Sequence, residues 1–253
     1  MGDRISVGIK PHIRPGIVQG IGSWWQRFPT NATDLGALIG FTPSNIWTFN
    51  EATGNFQDSV GADAFTVISG TQNQASPFCG QQQFACADGS LDSADAVNAA
   101  SFDYDAVTSF AWLAAIRINV AAATRDIYAR RSAGAAYYRC YVTAAGQLYW
   151  AITDGVFSTV PNIAGGTIPI DYFPILTVVD RNAVQSSISI PGTTAIGSTL
   201  LIGSLANPGP FSFGSRTGFS AGVDFVWAAH FVGANAQMRT YEQTILSNFW
   251  RGI

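Results

Sequence analysis

The feature that most restricts the fold of this chain is a long succession of short strand-forming runs separated by turn residues. From residue 44 onward, runs rich in Val, Ile, Thr, Tyr, Phe and Trp alternate with Gly, Asn, Asp and Pro. We predict strands over 46–49, 64–67, 109–118, 125–130, 136–143, 147–153, 172–180, 187–190, 200–202 and 222–231. The one predicted helix covers 234–249, where apolar residues recur every three to four positions. Many strands without intervening helices indicate a sandwich or jelly roll.

The hydrophobic content is high enough for one large core. Hydrophobic residues make up 47% of the 253 residues, and all-β sandwiches of this size occur as single domains. Within 222–231, strict alternation places Phe225, Trp227 and Phe231 on one face of the strand. We predict that this face lies in the core and that the opposite face is mixed.

Charged residues are scarce, which restricts the partners. They make up 11% of the chain, and Lys10 is the only lysine. The net charge of −3 offers no electrostatic footprint for nucleic acid and no attraction to an anionic membrane. No apolar run reaches the roughly 18–20 residues that a membrane-inserted helix needs, and the N-terminus lacks the pattern of a signal peptide. We therefore expect a chain that stays where it is made or leaves the cell without a signal.

Residues 1–40 differ from the rest and are predicted to form an extended anchoring arm. Prolines at 11, 15 and 29 and several glycines interrupt helices and strands. Disordered tails usually lack aromatic and branched aliphatic residues, yet this segment is rich in them. The side chains predicted to anchor it on another chain are Ile13, Ile17, Trp24, Trp25 and Phe28.

Residues 36–61, GALIGFTPSNIWTFNEATGNFQDSVG, resemble the opening of laminin G-like domains of the concanavalin A-like lectin/glucanase superfamily. The matching positions are Pro43, Trp47, Phe49, Glu51, Gly54, Asp58, Ser59 and Gly61. Later strands follow in the family's order over about 44–249, although the pattern does not extend over 68–98. The resemblance implies a two-sheet antiparallel jelly-roll sandwich over 41–253, with a short C-terminal helix. It also implies a carbohydrate- or protein-binding role, and similar domains occur in phage virion proteins.

Calcium is one hypothesis for the carboxylates of the opening motif, because some members of this superfamily bind it. Glu51, Asp58 and Asp224 would lie close together in such a fold, with carbonyls near Gly54 completing a set of hard oxygen ligands. The alternative is that Asp58 caps its own turn by accepting hydrogen bonds from backbone amides. The sequence leaves both interpretations open, and no other cofactor is expected.

An aromatic and basic cluster on adjacent predicted strands is the candidate binding site. The cluster contains Tyr and Trp residues together with arginines, a combination enriched at recognition surfaces. Alternation sends some of these side chains into the core and others to the surface. The residues predicted to bind a ligand or partner are Tyr137, Tyr138, Arg139, Tyr149 and Trp150.

Catalytic patterns are weak, so we expect no enzyme. The only glutamates, Glu51 and Glu242, are far apart in sequence, and no strand carries the paired carboxylates of a glycoside hydrolase on one face. Asp103 and Asp105 alternate correctly but precede their strand. The histidines, His12 and His230, lack the surroundings of a nucleophilic triad or a zinc site.

The three cysteines leave two interpretations open. Cys79 and Cys86 are close enough in sequence to form a disulfide across a turn. The other interpretation is that these two and Cys140 are reduced and partly buried.

Two functions fit these patterns. The first is a non-catalytic structural component of a phage virion, decorating the capsid or attached to the tail, with other virion proteins or copies of itself as partners. The second is a carbohydrate-binding module that recognises a host-surface glycan in the extracellular space. The apolar arm and scarcity of charge favour the first, and a homo-oligomer or larger assembly is expected with it.

Overall fold

The computed structural model describes residues 28–78, 81–87, 91–97, 99–119, 124–130, 136–214 and 222–252. They form two antiparallel sheets of eight strands each, which confirms the predicted all-β sandwich. The strands are β1 (Asn45–Trp47), β2 (Phe65–Ser69), β3 (Thr71–Ala75), β4 (Gln82–Ala85), β5 (Ser93–Ala96), β6 (Phe110–Ile118), β7 (Arg125–Arg130), β8 (Tyr137–Val142), β9 (Leu148–Thr153), β10 (Ser158–Thr159), β11 (Asn162–Ile163), β12 (Phe173–Asp180), β13 (Gln185–Ile190), β14 (Thr193–Ser198), β15 (Phe211–Gly214) and β16 (Val223–Val232). The helices are α1 (Ala32–Ile39) and α2 (Glu242–Gly252), with short 3-10 helices at Ala99–Phe102 and Gly233–Ala236.

The strand order places the first and last described strands next to each other in one sheet. Sheet A has the order β14-β13-β12-β6-β16-β4-β3, and β1 also pairs with β16. Sheet B has the order β10-β9-β8-β7-β15-β5-β2, and β11 also pairs with β9. The first strand, β1, and the last strand, β16, are therefore direct neighbours.

The sheets face each other across an aromatic core. Trp112 of sheet A stacks on Phe211 of sheet B with ring centroids 4.4 Å apart. In β8, half-exposed and buried positions alternate, so Tyr138, Cys140 and Val142 point into this core. Alternation of this kind is typical of a sheet with one face inside and one outside.

Sheet A is buried on its other face as well. Leu35 and Ile39 of α1 and Leu246 and Phe249 of α2 pack with Trp227 in a second hydrophobic cluster. The first seven of the nine residues of β6 are consequently buried. A continuous apolar strand is what a sheet covered on both faces requires.

Helix α1 is delimited by capping residues. Asn31 Oδ1 accepts a hydrogen bond of 2.8 Å from the backbone N–H of Asp34 at its start. At its end Gly40 has φ of +82° and donates its N–H to the carbonyl of Gly36, a conformation that glycine tolerates best.

This helix corrects part of the predicted arm. Residues 32–39 are helical rather than extended, because Leu35 and Ile39 need a common face to reach the second cluster. Phe28 is also buried in that cluster. The remainder of the predicted arm, residues 1–27, lies outside the described residues.

Other boundaries also differ from prediction. Residues 200–202 are a turn, closed by the Ile202 N–H donating to the Thr199 carbonyl at 3.1 Å, and not a strand. The predicted helix over 234–249 begins as a 3-10 helix and becomes α-helical only at Glu242. Strands β3, β4 and β5, in the region where the family pattern stopped, were missed. β3 reads TQNQA and is mostly exposed, so it carries no apolar alternation.

A register shift in β16 changes the predicted faces of that strand. The pairing of β16 with β6 is irregular between Phe225 and Trp227. Phe225 consequently packs in the core between the sheets, whereas Trp227 and Phe231 pack in the second cluster under the helices. The prediction that these three share one face is therefore wrong, because a bulge inverts the alternation.

The described cysteines, Cys86 and Cys140, are free and buried. Burial raises the pKa of both thiols, so neither is a reactive thiolate. Cys79 lies outside the described residues. None of the helices in the described part of the chain has the length and apolarity to cross a bilayer.

Candidate functional site

The outer face of sheet B presents a row of aromatic and polar side chains. Direct cross-strand partners place Asp126, Tyr141, Tyr149 and Asn162 side by side on β7, β8, β9 and β11. The rings of Tyr141 and Tyr149 are stacked, with centroids 5.0 Å apart and planes 9° from parallel. The guanidinium carbon of Arg139 lies 4.0 Å from the centroid of Tyr141, and Arg139 forms an ion pair with Asp126.

The β8–β9 hairpin fixes this arrangement. The Gly146 N–H donates to the Thr143 carbonyl at 2.9 Å, and Gly146 has φ of +71°, which favours glycine in the turn. The turn sets Val142 opposite Leu148, and because side chains alternate, Tyr141 and Tyr149 then point outward together. We call Tyr137, Arg139, Tyr141 and Tyr149 the tyrosine–arginine face, since all four are half-buried.

The structure divides the predicted binding residues into two groups. Tyr137, Arg139 and Tyr149 belong to the tyrosine–arginine face. Tyr138 and Trp150 are fully buried in the core, where the Tyr138 hydroxyl donates to the carbonyl of Phe102 at 3.0 Å. Tyr138 and Trp150 therefore cannot touch a ligand at the surface, because their strand positions point inward.

The polar groups that this face offers are the tyrosine hydroxyls and the neighbouring side chain of Asn162. Tyr141 is covered by Arg139 on one ring face and by Tyr149 on the other, so it offers its edge and hydroxyl. Partial burial raises the pKa of Tyr141, although the nearby Arg139 opposes the shift, and the phenol stays protonated at neutral pH. The Tyr149 hydroxyl donates to Gln147 Oε1 at 3.1 Å. Sequence reasoning missed Asn162, whose two-residue strand carries no periodic signal.

Asp58, one of the predicted calcium ligands, holds the backbone of the opening motif. Its Oδ1 accepts from the N–H groups of Ile46 at 3.0 Å and Val60 at 2.9 Å. Its Oδ2 accepts from Asn45 Nδ2 at 2.6 Å. The turn-capping interpretation therefore describes Asp58.

The carbonyls predicted to complete a calcium site are engaged by a side chain. Gln72 Nε2 donates to the carbonyl oxygens of Gly54 at 3.0 Å and Glu51 at 3.3 Å. Glu51 Oε1 accepts from the Gln57 N–H at 2.8 Å. These groups organise the loop between β1 and β2.

Asp224, the third predicted ligand, lies near the end of β16 that is remote from β1. It forms an ion pair with Arg117 and accepts from Asn119 Nδ2 at 3.3 Å. Across the ranges that the structure describes, no three His, Cys, Asp or Glu side chains are grouped so as to hold a metal ion. The structure thus does not bring Glu51, Asp58 and Asp224 together as a calcium site.

A buried polar chain joins the opening motif to the last strand, and sequence reasoning did not find it. His230 Nδ1 lies 2.9 Å from Asn45 Oδ1, and His230 Nε2 lies 2.5 Å from the Tyr104 hydroxyl. Since Asn45 Nδ2 donates to Asp58 and Asp63, its Oδ1 accepts, which places the imidazole proton on Nδ1. Burial lowers the pKa of His230 to about 3. A neutral, fully buried histidine of this kind serves structure.

The aspartates considered for hydrolysis also have structural partners. Asp103 pairs with the buried Arg130 at 2.7 Å. Asp105 Oδ1 accepts from the N–H groups of Val107 and Thr108 at 3.0 and 2.6 Å. Arg130 is almost fully buried and lies outside the tyrosine–arginine face.

Of the predicted anchoring residues, the structure describes Phe28 alone. Its ring lies 5.0 Å from Phe78 and 6.1 Å from Trp227, centroid to centroid. It therefore anchors the start of the described chain on its own sheet A. Ile13, Ile17, Trp24 and Trp25 lie outside the described residues.

No protein-family model matches this sequence, and no curated protein matches it. Among solved structures, the fold is similar to Trypanosoma rangeli sialidase in complex with a difluoro sugar acid, with a TM-score of 0.57 and 11% identity over 92% of this chain and 39% of that chain. It is similar to the binding domain of Paraclostridial Mosquitocidal Protein 1, with a TM-score of 0.59 and 11% identity over 84% of this chain and 53% of that one. The receptor binding domain of botulinum neurotoxin D gives a TM-score of 0.56 and 9% identity over 81% and 52%.

The chain spans about half, or less, of the length of these structures. At such identities the similarity establishes the fold alone, a sandwich of two antiparallel sheets.

Proposed function

We propose that this chain is a non-catalytic recognition module that binds a carbohydrate through the tyrosine–arginine face. The observation that carries the proposal is the outward row of Tyr141, Tyr149 and Asn162 beside Arg139. A sugar offers C–H surface, which packs on aromatic rings, and hydroxyls, which exchange hydrogen bonds with phenol, amide and guanidinium groups. All of these groups meet on one face of sheet B.

Tyr149 is the principal contact in this proposal. Among the described residues it stacks on Tyr141 alone, so its second ring face remains for a sugar ring. Asn162 is its cross-strand partner and is exposed, which places an amide next to that ring face. Arg139 is held in position by Asp126, and a preorganised side chain loses less entropy on binding.

The comparisons support recognition rather than chemistry. Two of the similar structures are binding domains of toxins, by their descriptions, and the third is a sialidase with a sugar analogue. In this chain the carboxylates considered for catalysis, Asp103 and Asp105, hold Arg130 and a turn. A non-catalytic role is the consistent proposal.

The test is binding of the purified full chain to a glycan array, followed by calorimetry with the best ligand. Substituting Tyr149→Ala is expected to weaken binding by roughly 2 kcal/mol, or about 30-fold, as for a central aromatic contact. Tyr241→Ala is the matched control, because Tyr241 is an exposed tyrosine beside α2 and should leave the affinity unchanged. The proposal fails if no glycan binds, or if both variants weaken binding equally.

A second candidate, a structural component of a phage virion on the capsid or tail, is favoured by the segment before Phe28. That segment is rich in Ile and Trp, and Phe28, the first described residue, is itself used as a packing contact. An apolar segment attached to a rigid sandwich suits a protein that must be held on an assembly. The alternative location is extracellular, as a free glycan-binding module.

This second candidate is tested by mass spectrometry of particle and soluble fractions from the source culture, separated on a density gradient. Peptides of this chain are expected to co-migrate with particles and to remain with them after washing in high salt. Recovery of the chain from the soluble fraction alone would exclude the virion role without affecting the glycan proposal.

A further inference from the structure

One corner of the sandwich carries a group of exposed apolar side chains that the tyrosine–arginine face does not use. It lies where β14, the edge of sheet A, meets β10, the edge of sheet B. Its members are 42–80% exposed, and exposed apolar clusters of this kind mark interaction sites. We call Val156, Phe157, Val160, Ile196, Leu200 and Leu201 the apolar corner.

The apolar corner is one surface because the carboxylate of Asp154 accepts hydrogen bonds from both of the loops that form it. Asp154 Oδ1 accepts from the N–H groups of Val156 at 2.9 Å and Phe157 at 2.7 Å. Its Oδ2 accepts from the Gly203 N–H at 2.6 Å. The turn that presents Val156 and Phe157 is thus fixed against the segment that presents Leu200.

The two sheet edges approach each other closely at this corner. A Cβ at Gly197 of β14 would collide with Oγ1 of Thr159 in β10. Beside this contact a cavity of about 400 Å³ opens, lined by Val184, Ile196 and Leu200 among others. The corner therefore offers a concave site lined by both apolar and polar residues, as well as exposed apolar side chains.

We propose that the apolar corner binds the N-terminal segment, residues 1–27, of a second copy of this chain. That segment matches the corner in polarity, because it carries Ile5, Val7, Ile9, Ile13, Ile17, Val18, Ile21, Trp24 and Trp25. The contact is independent of carbohydrate binding.

The N-terminal segment and the rest of the chain also carry opposite net charges. Residues 1–27 contain four basic side chains and one acidic side chain, a net charge of +3. Since the whole chain carries −3, residues 28–253 carry −6. Asp105 and Asp154 lie near Arg181, whose guanidinium donates to the carbonyls of Ile202 and Gly203 at 2.7 and 2.8 Å and interacts with both carboxylates, so the three groups together carry −1.

Both of these carboxylates are ionised at neutral pH. Hydrogen bonds from Thr108 and Val107 lower the pKa of Asp105. Desolvation raises the pKa of Asp154, but backbone N–H groups outweigh it and the pKa is lowered. A basic segment is therefore attracted to this group.

The segment is long enough to reach a neighbouring molecule. Phe28 is fixed on sheet A, and 27 extended residues span up to about 90 Å, whereas a body of this size has a radius of gyration of roughly 17 Å. Pro11 and Pro15 oppose a helix that would shorten the reach. Segment-to-corner contacts close into a two-fold dimer where they are reciprocal, and otherwise form a larger ring or an open array.

The test uses full-length variants in sedimentation velocity over a concentration series. Leu200→Ser/Leu201→Ser changes the corner, Ile13→Ser/Ile17→Ser changes the segment, and Ile68→Ser is the control. Ile68 is 52% exposed on β2, the opposite edge of sheet B. The wild type and the control are expected to oligomerise, and each double variant is expected to be monomeric at the same concentration.

Mixing the two double variants distinguishes a neighbour's segment from the chain's own. Each retains the surface that the other lacks, so an equimolar mixture is expected to form dimers by pairing one intact segment with one intact corner. A monomeric wild type, a corner variant that still oligomerises, or a mixture that stays monomeric would each overturn the proposal. Glycan binding, measured on the same samples, reports separately on the tyrosine–arginine face.

Discussion

The two sheets of the sandwich differ in what covers their outer faces. Sheet A lies between the central core and a second cluster under α1 and α2, so β6 is buried almost throughout. In sheet B, β7 and β15 are also buried throughout, but β8 alternates regularly between buried and half-exposed residues. The outer face of sheet A is therefore covered, whereas the outer face of sheet B is partly exposed at β8 and β9.

An aromatic side chain on the outer face therefore has a different environment on each sheet. Trp227 on the outer face of sheet A is fully buried, and its Nε1 donates to the Pro29 carbonyl at 2.7 Å. Tyr149 on the outer face of sheet B is only half-buried and has a free ring face in our proposal. An outward aromatic thus packs against helices on sheet A, whereas on sheet B it remains partly exposed.

The largest expected effect tests whether the cover of sheet A is part of the fold. A chain of residues 41–253 lacks Phe28, Leu35 and Ile39, which are at most 6% exposed. At about 1.5–3 kcal/mol for each buried side chain, the loss is roughly 5–9 kcal/mol, comparable with the whole stability of a domain. We expect 41–253 to unfold at far lower urea concentration than 28–253.

Equal unfolding midpoints for these two chains would contradict the comparison, because the cover of sheet A would then be dispensable. The chain 28–253 is also the proper control for any role of residues 1–27, since it leaves the second cluster complete.

The next effect contrasts neighbouring residues on one strand of sheet B. Trp150→Ala removes a side chain buried against Phe110 and Tyr138 and should cost about 3–5 kcal/mol. Tyr149→Ala removes a half-exposed ring and its stack on Tyr141, with an expected cost of about 1 kcal/mol. Urea unfolding of both variants measures the difference. Similar losses at both positions would mean that the outer face of sheet B is as tightly packed as the inner one.

Much of the sandwich could be predicted because alternation and β-propensity act locally. β7 was predicted with its observed bounds, and β6 and β12 within one residue. β3 was missed because its TQNQA sequence pairs at a sheet edge without an apolar face. Helix α1, one of the two helices that cover sheet A, was missed because Asn31 and Gly40 act as caps within a segment whose prolines suggested extended chain.

The sequence predicts that the residues of the candidate binding site cluster on adjacent strands, but not which of their side chains face outward. Sequence places Tyr137 to Tyr149 on adjacent strands, yet which ring faces outward depends on register, and that separates Tyr149 from Trp150. The separation of the predicted calcium ligands could not be read from the sequence for a different reason. The sequence shows that Asp58 and Asp224 carry carboxylates that could bind a metal ion. It does not show that strand pairing brings Asn45 to Asp58 and Arg117 to Asp224.

The smallest effect concerns pH and the inner side of sheet A. Burial lowers the pKa of His230 to about 3, against about 6.5 in the unfolded chain. Between these values the unfolded chain binds a proton that the folded chain does not, so stability is full above pH 6.5 and falls as the pH drops. At pH 5 the loss is about 2 kcal/mol. Urea unfolding at pH 7 and pH 5 measures it.

The control for this prediction is His230→Gln, which keeps a donor and an acceptor but cannot titrate. The variant is needed because burial raises the pKa of Glu242, which favours the folded state as the pH falls and partly masks the histidine. We expect wild type to lose about 2 kcal/mol more than the variant between pH 7 and pH 5. Equal losses would mean that His230 is protonated without unfolding, and that the contact between β1 and β16 is open to water. The inner side of sheet A would then be less closed than its fully buried residues indicate.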